Sequence, residues 1–159
     1  MTGANDNVKA RMKAENISEK IAQEYYDDLG RLVRFSFRTE ISRDFFWAMP
    51  DLMRKMPDFV FHDMTDGKMC LVEVKGCKQV NLRLKVGDFF HYDAWSQFTG
   101  LPIILFIVDY DAGGIYVVPF VQMKKVLSRD DVILTQTHDG VNWFEIDYNL
   151  IKGWRVKDL

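Results

Sequence analysis

The sequence of 159 residues has only two cysteines, Cys70 and Cys77, and their spacing matches no thiolate metal site. Cys70 lies in an apolar stretch, where a free thiol that packs as a small apolar side chain is the expected state. No apolar run approaches the roughly 20 residues of a membrane-spanning helix. The first fifteen residues are polar and lack the apolar core of a signal peptide. These absences predict a protein of a reducing, cytoplasmic compartment without a membrane segment.

The chain also has no excess of positive charge, because its formal net charge is −2. This balance argues against strong non-specific affinity for nucleic acid, although a local basic groove can exist within an acidic protein. Hydrophobic residues make up 48% of the chain, which is typical of a globular protein. We expect a flexible N-terminal segment over residues 1–15 and a single domain over residues 16–159.

Two short apolar stretches, residues 57–63 and 68–75, each have the composition of a β-strand. The four residues between them, 64–67, have the composition of a turn. The sequence therefore predicts an antiparallel hairpin, although a bulge at Gly67 would shift its register by one residue.

The register of this hairpin brings two acids together. If Asp63 pairs with Lys68, then Asp58 lies opposite Glu73, with Cβ atoms about 4.5–5.5 Å apart. Two carboxylates this close repel each other unless a cation lies between them. Lys75 shares the face of Glu73, because residues two apart on a strand point to the same side.

Two acids and a lysine on one surface are suited to metal-assisted hydrolysis of a phosphodiester. Carboxylates hold Mg²⁺, which then polarises a phosphoryl oxygen and lowers the pKa of a bound water. A lysine offsets the negative charge that builds on the phosphate. The alternative is ordinary surface chemistry, in which Pro57-Asp58 starts a strand and Glu73-Val74-Lys75 ends one on a solvated face.

At Pro57-Asp58 and Glu73-Val74-Lys75 the sequence resembles the PD-(D/E)XK nuclease superfamily. The order of elements over residues 16–119 is similar to the core of that family. The resemblance implies an α/β fold with a restriction-endonuclease-like core, in which helices flank a mixed central β-sheet, here with a C-terminal β-hairpin. It also implies a DNA endonuclease that depends on Mg²⁺ or Mn²⁺, of the restriction-endonuclease or Holliday-junction-resolvase type.

The resemblance implies roles for particular residues as well. Asp58, Glu73 and Lys75 would be catalytic, and the metal would be held by Asp58, Glu73 and the backbone carbonyl of Val74. Many members place an acid of the first helix at the metal, for which Glu24 is our candidate and Glu40 a rival. Polar groups of the crossover helix often reach the metal or the DNA, and the candidates here are Asp88, Tyr92 and Gln97.

Positive charge is concentrated after the proposed catalytic strand, at Lys78, Arg83 and Lys85. These side chains are candidates for phosphate contacts, and a solvated basic loop is the alternative. The strand predicted over residues 31–41 adds Arg34 and Arg38. The expected partner is DNA in linear, branched or single-stranded form, and analogy suggests a homodimer because cutting two strands needs two sites.

The remaining elements follow from periodicity. A first helix is predicted over residues 16–30 and a second from the cap Asp88 to Gly100. The stripes predicted to be buried are Ile17, Ile21, Tyr25 and Leu29 on the first helix, and Phe90, Ala94 and Phe98, widened by Trp95, on the second. Residues 103–108 predict a central strand with a parallel neighbour. A further strand (115–118), a short helix (121–127) and a hairpin around Asp139-Gly140 complete the chain.

Besides a nuclease, two other functions are compatible with the sequence. One is a nucleic-acid-binding protein that keeps the fold without the catalytic chemistry. A third reading is an interaction domain whose contact surface is the segment 45–56, which is rich in aromatic residues and methionine.

Overall fold

The computed structural model describes residues 17–29, 32–36, 50–63 and 66–159, with the backbone alone for residues 32–36. The predictions for the N-terminal segment 1–15, for Arg38 and Glu40, and for residues 45–49 of the aromatic segment fall outside the described residues. Within the described part of the chain, no helix is both long enough and apolar enough to cross a membrane. Both cysteines are free thiols, as predicted.

A six-stranded mixed sheet forms the centre of the protein. Its strands in spatial order are β1 (Leu32–Ser36), β2 (Phe59–Asp63), β3 (Met69–Cys77), β5 (Ile103–Asp109), β6 (Gly114–Pro119) and β9 (Arg155–Asp158). The central pair, β3 and β5, is parallel, and every other neighbouring pair is antiparallel. The predicted central strand with a parallel neighbour is therefore confirmed.

The apolar run of β5 is buried on both faces of this sheet. Leu105 and Ile107 belong to one buried cluster, whereas Phe106 and Val108 belong to another. Because side chains alternate along a strand, the two clusters lie on opposite faces. This double cover explains why the strand has no polar residue before Asp109.

A smaller antiparallel sheet consists of β4 (Asn81–Lys85), β8 (Asn142–Asp147) and β7 (Ile133–Gln136), in that order. The predicted C-terminal hairpin is β7–β8, and its turn contains Gly140 at φ +80°. The alternative of a basic loop after Lys75 is wrong over residues 81–85. These residues form a strand because Leu82 and Leu84 are buried while the residues between them point outward.

The described part of the chain contains four α-helices that flank the sheets: α1 over residues 17–28, α2 (Asp51–Arg54), α3 (Val86–Thr99) and α4 (Phe120–Leu127). Two 3₁₀ turns, Tyr148–Leu150 and Lys152–Trp154, precede β9. Helix α3 connects β4 to β5 and so completes the crossover between the parallel strands. It ends at Gly100 in the left-handed conformation, as predicted, but begins two residues before the predicted cap Asp88.

The predicted buried stripe of α1 is displaced by one residue. Ile17 and Leu29 are exposed, and the buried face consists of Ser18, Ala22 and Tyr26. The Tyr26 ring packs against Phe61 and Phe106 of the sheet. A tyrosine that reaches the sheet therefore sets the rotation of the helix, and the more hydrophobic isoleucine does not.

The predicted stripe of α3 is confirmed for Trp95 but is wrong for its two phenylalanines. Phe90 and Phe98 are 73% and 80% exposed, whereas Tyr92 and Trp95 are buried. Both buried rings have a hydrogen-bond partner for their polar atom, since Tyr92 contacts Glu73 and the Trp95 indole donates to the Leu52 carbonyl at 2.9 Å. Hydrogen bonding across the core thus decides the rotation of α3.

Candidate active site

The hairpin β2–β3 has the predicted register. Phe59 lies opposite Val72, and the ladder continues from there without a shift, so the bulge alternative does not apply to it. The residue before this pair on β2 is Asp58, and the residue after it on β3 is Glu73. The register therefore places the two acids at the same level of the hairpin.

Asp58 is buried, with 3% of its surface exposed. Its Oδ2 atom accepts a 2.7 Å hydrogen bond from the backbone amide of Val74. A hydrogen bond to an ionised acceptor is stronger than one between neutral groups, so this bond holds the carboxylate in place ahead of its own strand.

Glu73 is also buried, at 7% exposure, and two donors meet at its Oε1 atom. The Lys75 ammonium lies 2.8 Å from this atom, and the Tyr92 hydroxyl donates to it at 3.1 Å. Burial, followed by the Glu73 carboxylate, raises the pKa of Tyr92 well above its usual range. The tyrosine therefore keeps its proton and remains a donor to Glu73.

Lys75 also contacts the first turn of α3, where its Nζ lies 3.3 Å from Oδ2 of Asp88. Burial alone lowers the pKa of Lys75, but neighbouring charges led by Glu73 outweigh it and raise this pKa well above its usual range. Lys55 approaches the other oxygen of Asp88 at 3.3 Å. Burial opposes ionisation of Asp88, yet the two lysines lower its pKa overall. Both Lys75 and Asp88 are therefore charged at neutral pH.

Asp58, Glu73 and Lys75 line one cavity of about 750 Å³. Its wall combines the end of β3, the start of α3, the outer side of β4 and the segment around α2. Charged side chains dominate the lining: Glu19, Asp51, Arg54, Lys55, Asp58, Glu73, Lys75, Lys78, Arg83, Lys85 and Asp88. The two buried acids thus lie in a cavity whose lining combines acidic and cationic side chains.

The three basic residues predicted after the catalytic strand all line this cavity. Arg83 forms an ion pair with Glu145 on the neighbouring strand. The ammonium groups of Lys78 and Lys85 lie over aromatic rings, at 5.5 Å from the Tyr110 centroid and 5.2 Å from the Trp143 centroid. The structure therefore gathers Lys78, Arg83 and Lys85 at the site.

The structure does not bring Glu24 to the cavity. This residue is exposed on α1 and lies 3.6 Å from Lys20 in a surface ion pair. Glu19 is the acid of α1 that lines the cavity. Glu24 lies outside the cavity because the buried face of α1 is rotated from the predicted one. Arg34 lies in β1, of which the backbone alone is described.

Among the candidates from the crossover helix, Asp88 and Tyr92 line the cavity and Gln97 is exposed outside it. The cavity is also lined by three residues that were not predicted as site residues: Glu19, Lys55 and Trp143. For Glu19 a signal existed, since a helix stripe centred on Ser18 and Ala22 would have placed it beside the buried face. For Lys55 and Trp143 no local signal existed, because distant segments bring them to the site.

The donors at the site fit a hard divalent cation. Within the described residues there is no group of three or more His, Cys, Asp or Glu side chains that could hold a metal. Asp58, Glu73 and the carbonyl of Val74 nevertheless supply oxygen donors alone, and Mg²⁺ is commonly held by one or two carboxylates and otherwise keeps its waters. Mg²⁺ or Mn²⁺ is therefore the metal that suits these residues.

The six-stranded mixed sheet, its flanking helices and the C-terminal hairpin define the predicted restriction-endonuclease-like α/β fold. Among solved structures, the chain is similar to the 1.6 Å structure of Hjc from Archaeoglobus fulgidus, a Holliday junction resolvase from an archaeal hyperthermophile. The TM-score is 0.54 with 14% sequence identity, over 91% of each chain. At this level of identity the similarity confirms the predicted fold. No protein-family model and no curated protein matches the sequence.

Proposed function

We propose that this protein is a metal-dependent nuclease that hydrolyses phosphodiester bonds of DNA. One observation carries the proposal: Asp58, Glu73 and Lys75 line a single cavity together with further cationic side chains, among them Lys78, Arg83 and Lys85. Buried acids are costly to retain unless they are paired or bind a cation. Perturbed ionisable groups gathered in one cavity are typical of an active site.

The proposed roles follow from the contacts of each residue. Held by Asp58, Glu73 and the Val74 carbonyl, Mg²⁺ or Mn²⁺ would act as a Lewis acid and lower the pKa of a bound water. Lys75 is the catalytic cation, because its ammonium is charged at neutral pH and stabilises negative charge on the phosphate. Glu73 and Asp88 hold that ammonium from two sides.

Lys78, Arg83 and Lys85 are proposed to contact DNA phosphates, since they are the cationic side chains that line the cavity beyond Lys75 towards β4. Such contacts supply affinity that does not depend on sequence. The similar archaeal protein is a Holliday junction resolvase, so branched DNA is the first substrate that we propose for this chain. A homodimer in the cytoplasm belongs to the same proposal, because cutting two strands of a junction needs two sites.

A cleavage panel tests the proposal. The purified protein is incubated with linear, flapped, four-way and single-stranded DNA in Mn²⁺, Mg²⁺ or EDTA. The wild type is expected to cut at least one substrate in metal and none in EDTA. Asp58→Asn, Glu73→Gln and Lys75→Met are expected to lose activity by more than about a hundredfold while remaining folded. Glu24→Gln is the matched control, because Glu24 is an exposed acid outside the cavity. Full metal-dependent activity in any of the three variants would refute the assignment.

The second candidate is a nucleic-acid-binding protein of the same fold without catalysis. It is favoured by the ion pair between Lys75 and Glu73, which compensates the buried carboxylate in the absence of a metal. Calorimetric titration with Mn²⁺ separates the two functions. Binding that Asp58→Asn abolishes supports the nuclease, whereas no binding by the folded wild type supports the second candidate.

A further inference from the structure

The outer face of the small sheet forms one wall of the cavity. On β4, Arg83 and Lys85 point away from the core, because the alternate residues Leu82 and Leu84 are buried. Lys85 lies opposite Trp143 on β8. The wall therefore presents an indole ring next to the ammonium of Lys85.

Trp143 has an unusual environment for a tryptophan that serves packing alone. The ammonium of Lys85 lies 5.2 Å from its ring centroid, on the side of the cavity that both residues line. Its indole Nε1 is buried and has no hydrogen-bond partner among the described residues. A buried indole N–H usually finds an acceptor, so neither a hydrogen bond nor a place in the buried clusters accounts for this ring.

The cavity is large enough to hold part of a nucleic-acid chain next to the acids. A volume of about 750 Å³ lies in the range of sites for single small ligands, which is enough for one or two nucleotides. Asp58 and Glu73 are both buried inside it. An unpaired nucleotide at this wall would therefore lie in the same cavity as the two acids.

We propose that the β4–β8 wall is a stacking platform that holds an unpaired nucleotide of the DNA next to the site formed by Asp58 and Glu73. The base stacks on the Trp143 ring, and Lys85 moves from the ring face to the adjacent phosphate. Aromatic rings flanked by cations are the usual means by which proteins hold single strands without reading their sequence. This inference rests on the proposed nuclease function and deepens it: the substrate class is DNA with unpaired bases at the cleavage point.

Binding in EDTA tests the platform without any cleavage. Fluorescence anisotropy gives the dissociation constants for a single-stranded oligonucleotide and for its duplex. Trp143→Leu is expected to weaken single-strand binding roughly tenfold, and Trp143→Phe, which keeps a ring, is expected to lose much less. Phe98→Leu is the matched control, because Phe98 is an aromatic residue with 80% exposure outside the cavity. Lys85→Gln is expected to reduce the slope of log affinity against log salt by about one phosphate contact.

The inference is overturned if folded Trp143→Leu binds the single strand as tightly as the wild type does. It is equally overturned if the substitution lowers the affinity for single strand and duplex by the same factor. It is also overturned if the wild type binds no DNA in EDTA. Its failure is distinct from failure of the nuclease assignment. Cleavage that depends on Asp58 with no effect of Trp143 would leave a nuclease without this platform. Single-strand binding that depends on Trp143, combined with full cleavage by Asp58→Asn, would support the platform and refute the assignment of the catalytic residues.

Discussion

The backbone amide of Val74 donates a 2.7 Å hydrogen bond to Oδ2 of Asp58. This bond connects the acid ahead of β2 to the strand that carries Glu73 and Lys75. The position of the Asp58 carboxylate is therefore established by the protein itself, before any metal binds. A preorganised acid of this kind requires no rearrangement when a cation arrives.

The hydrogen bond between Asp58 and Val74 predicts different stabilities for two substitutions that both remove the charge. Asp58→Asn keeps an acceptor for the amide, whereas Asp58→Ala leaves it without one. Asp58→Ala is therefore expected to be less stable than Asp58→Asn by about 1–2 kcal/mol in urea unfolding. Equal midpoints for the two variants would show that the bond contributes nothing.

Glu73 and Lys75 are expected to be coupled in stability. Lys75→Met leaves the buried Glu73 carboxylate without its nearest cation. Glu73→Gln removes the negative charge, so the side chain no longer requires a cation beside it. A double-mutant cycle by urea denaturation should give a coupling free energy of about 1–2 kcal/mol, less than for a fully buried pair because 26% of the Lys75 side chain is exposed. Strict additivity of the two single substitutions would contradict the interpretation of the contact as an ion pair.

Asp88 predicts a loss of stability in acid. Its pKa in the folded protein lies below the ordinary value of 3.8, so the unfolded chain takes up the proton first as the pH falls. The stability that the ionised Asp88 carboxylate contributes is complete above its pKa in the unfolded chain. This stability is lost as the pH falls through its pKa in the folded protein. The difference in unfolding free energy between wild type and Asp88→Asn should be constant from pH 7 to about 5 and shrink below about pH 4. Asp93→Asn is the control, since Asp93 lies on the same helix in a surface pair with Lys124.

Glu19 and Glu24 provide a matched pair on one helix. Glu19 lines the cavity, whereas Glu24 is exposed beside Lys20. Glu19→Gln is expected to weaken Mn²⁺ binding by about tenfold, as changes to groups around a metal site commonly do, and Glu24→Gln is expected to have no effect. Isothermal titration calorimetry measures both. The reverse order of effects would restore Glu24 as the acid of the first helix.

Cys70 is expected to react slowly with alkylating reagents. Burial raises the pKa of its thiol from 9.0 to about 11, which lowers the thiolate fraction at pH 8 by about a hundredfold. Because the folded pKa exceeds the unfolded one, the associated stability is complete below about pH 9 and is lost as the pH rises through 11. Mass spectrometry of the Cys70 peptide after iodoacetamide treatment measures the rate, with urea-unfolded protein as the reference. Equal rates in the folded and unfolded protein would contradict the shift.

The features that were predicted correctly are local in the chain. The register of β2–β3 follows from two adjacent apolar stretches and the turn between them, and the double burial of β5 follows from its uninterrupted composition. The end of α3 at Gly100 depends on one residue that tolerates positive φ. In each case the composition of one short segment or hairpin carries the signal, so the pattern of the sequence contains it.

The features that were missed depend on distant partners. The rotation of α1 is set by Tyr26 against the sheet, and that of α3 by hydrogen bonds of Tyr92 and Trp95 across the core. Hydrophobicity alone ranks Phe90 above Tyr92, but burial of a ring with a polar atom depends on whether a partner lies within reach. The same holds for β4, which becomes a strand because β8, some sixty residues later, pairs with it.

By itself, the sequence determined the strand pair that bears Asp58, Glu73 and Lys75, because alternation along adjacent strands sets which side chains share a face. Only the tertiary structure decided what surrounds them. It selected Glu19 over Glu24 and brought Lys55 and Trp143 to the cavity. The physical reason is that the residues around the site come from segments that are distant in the chain. The contacts between these segments form only when the protein folds, and the pattern within one segment does not indicate which other segment packs against it.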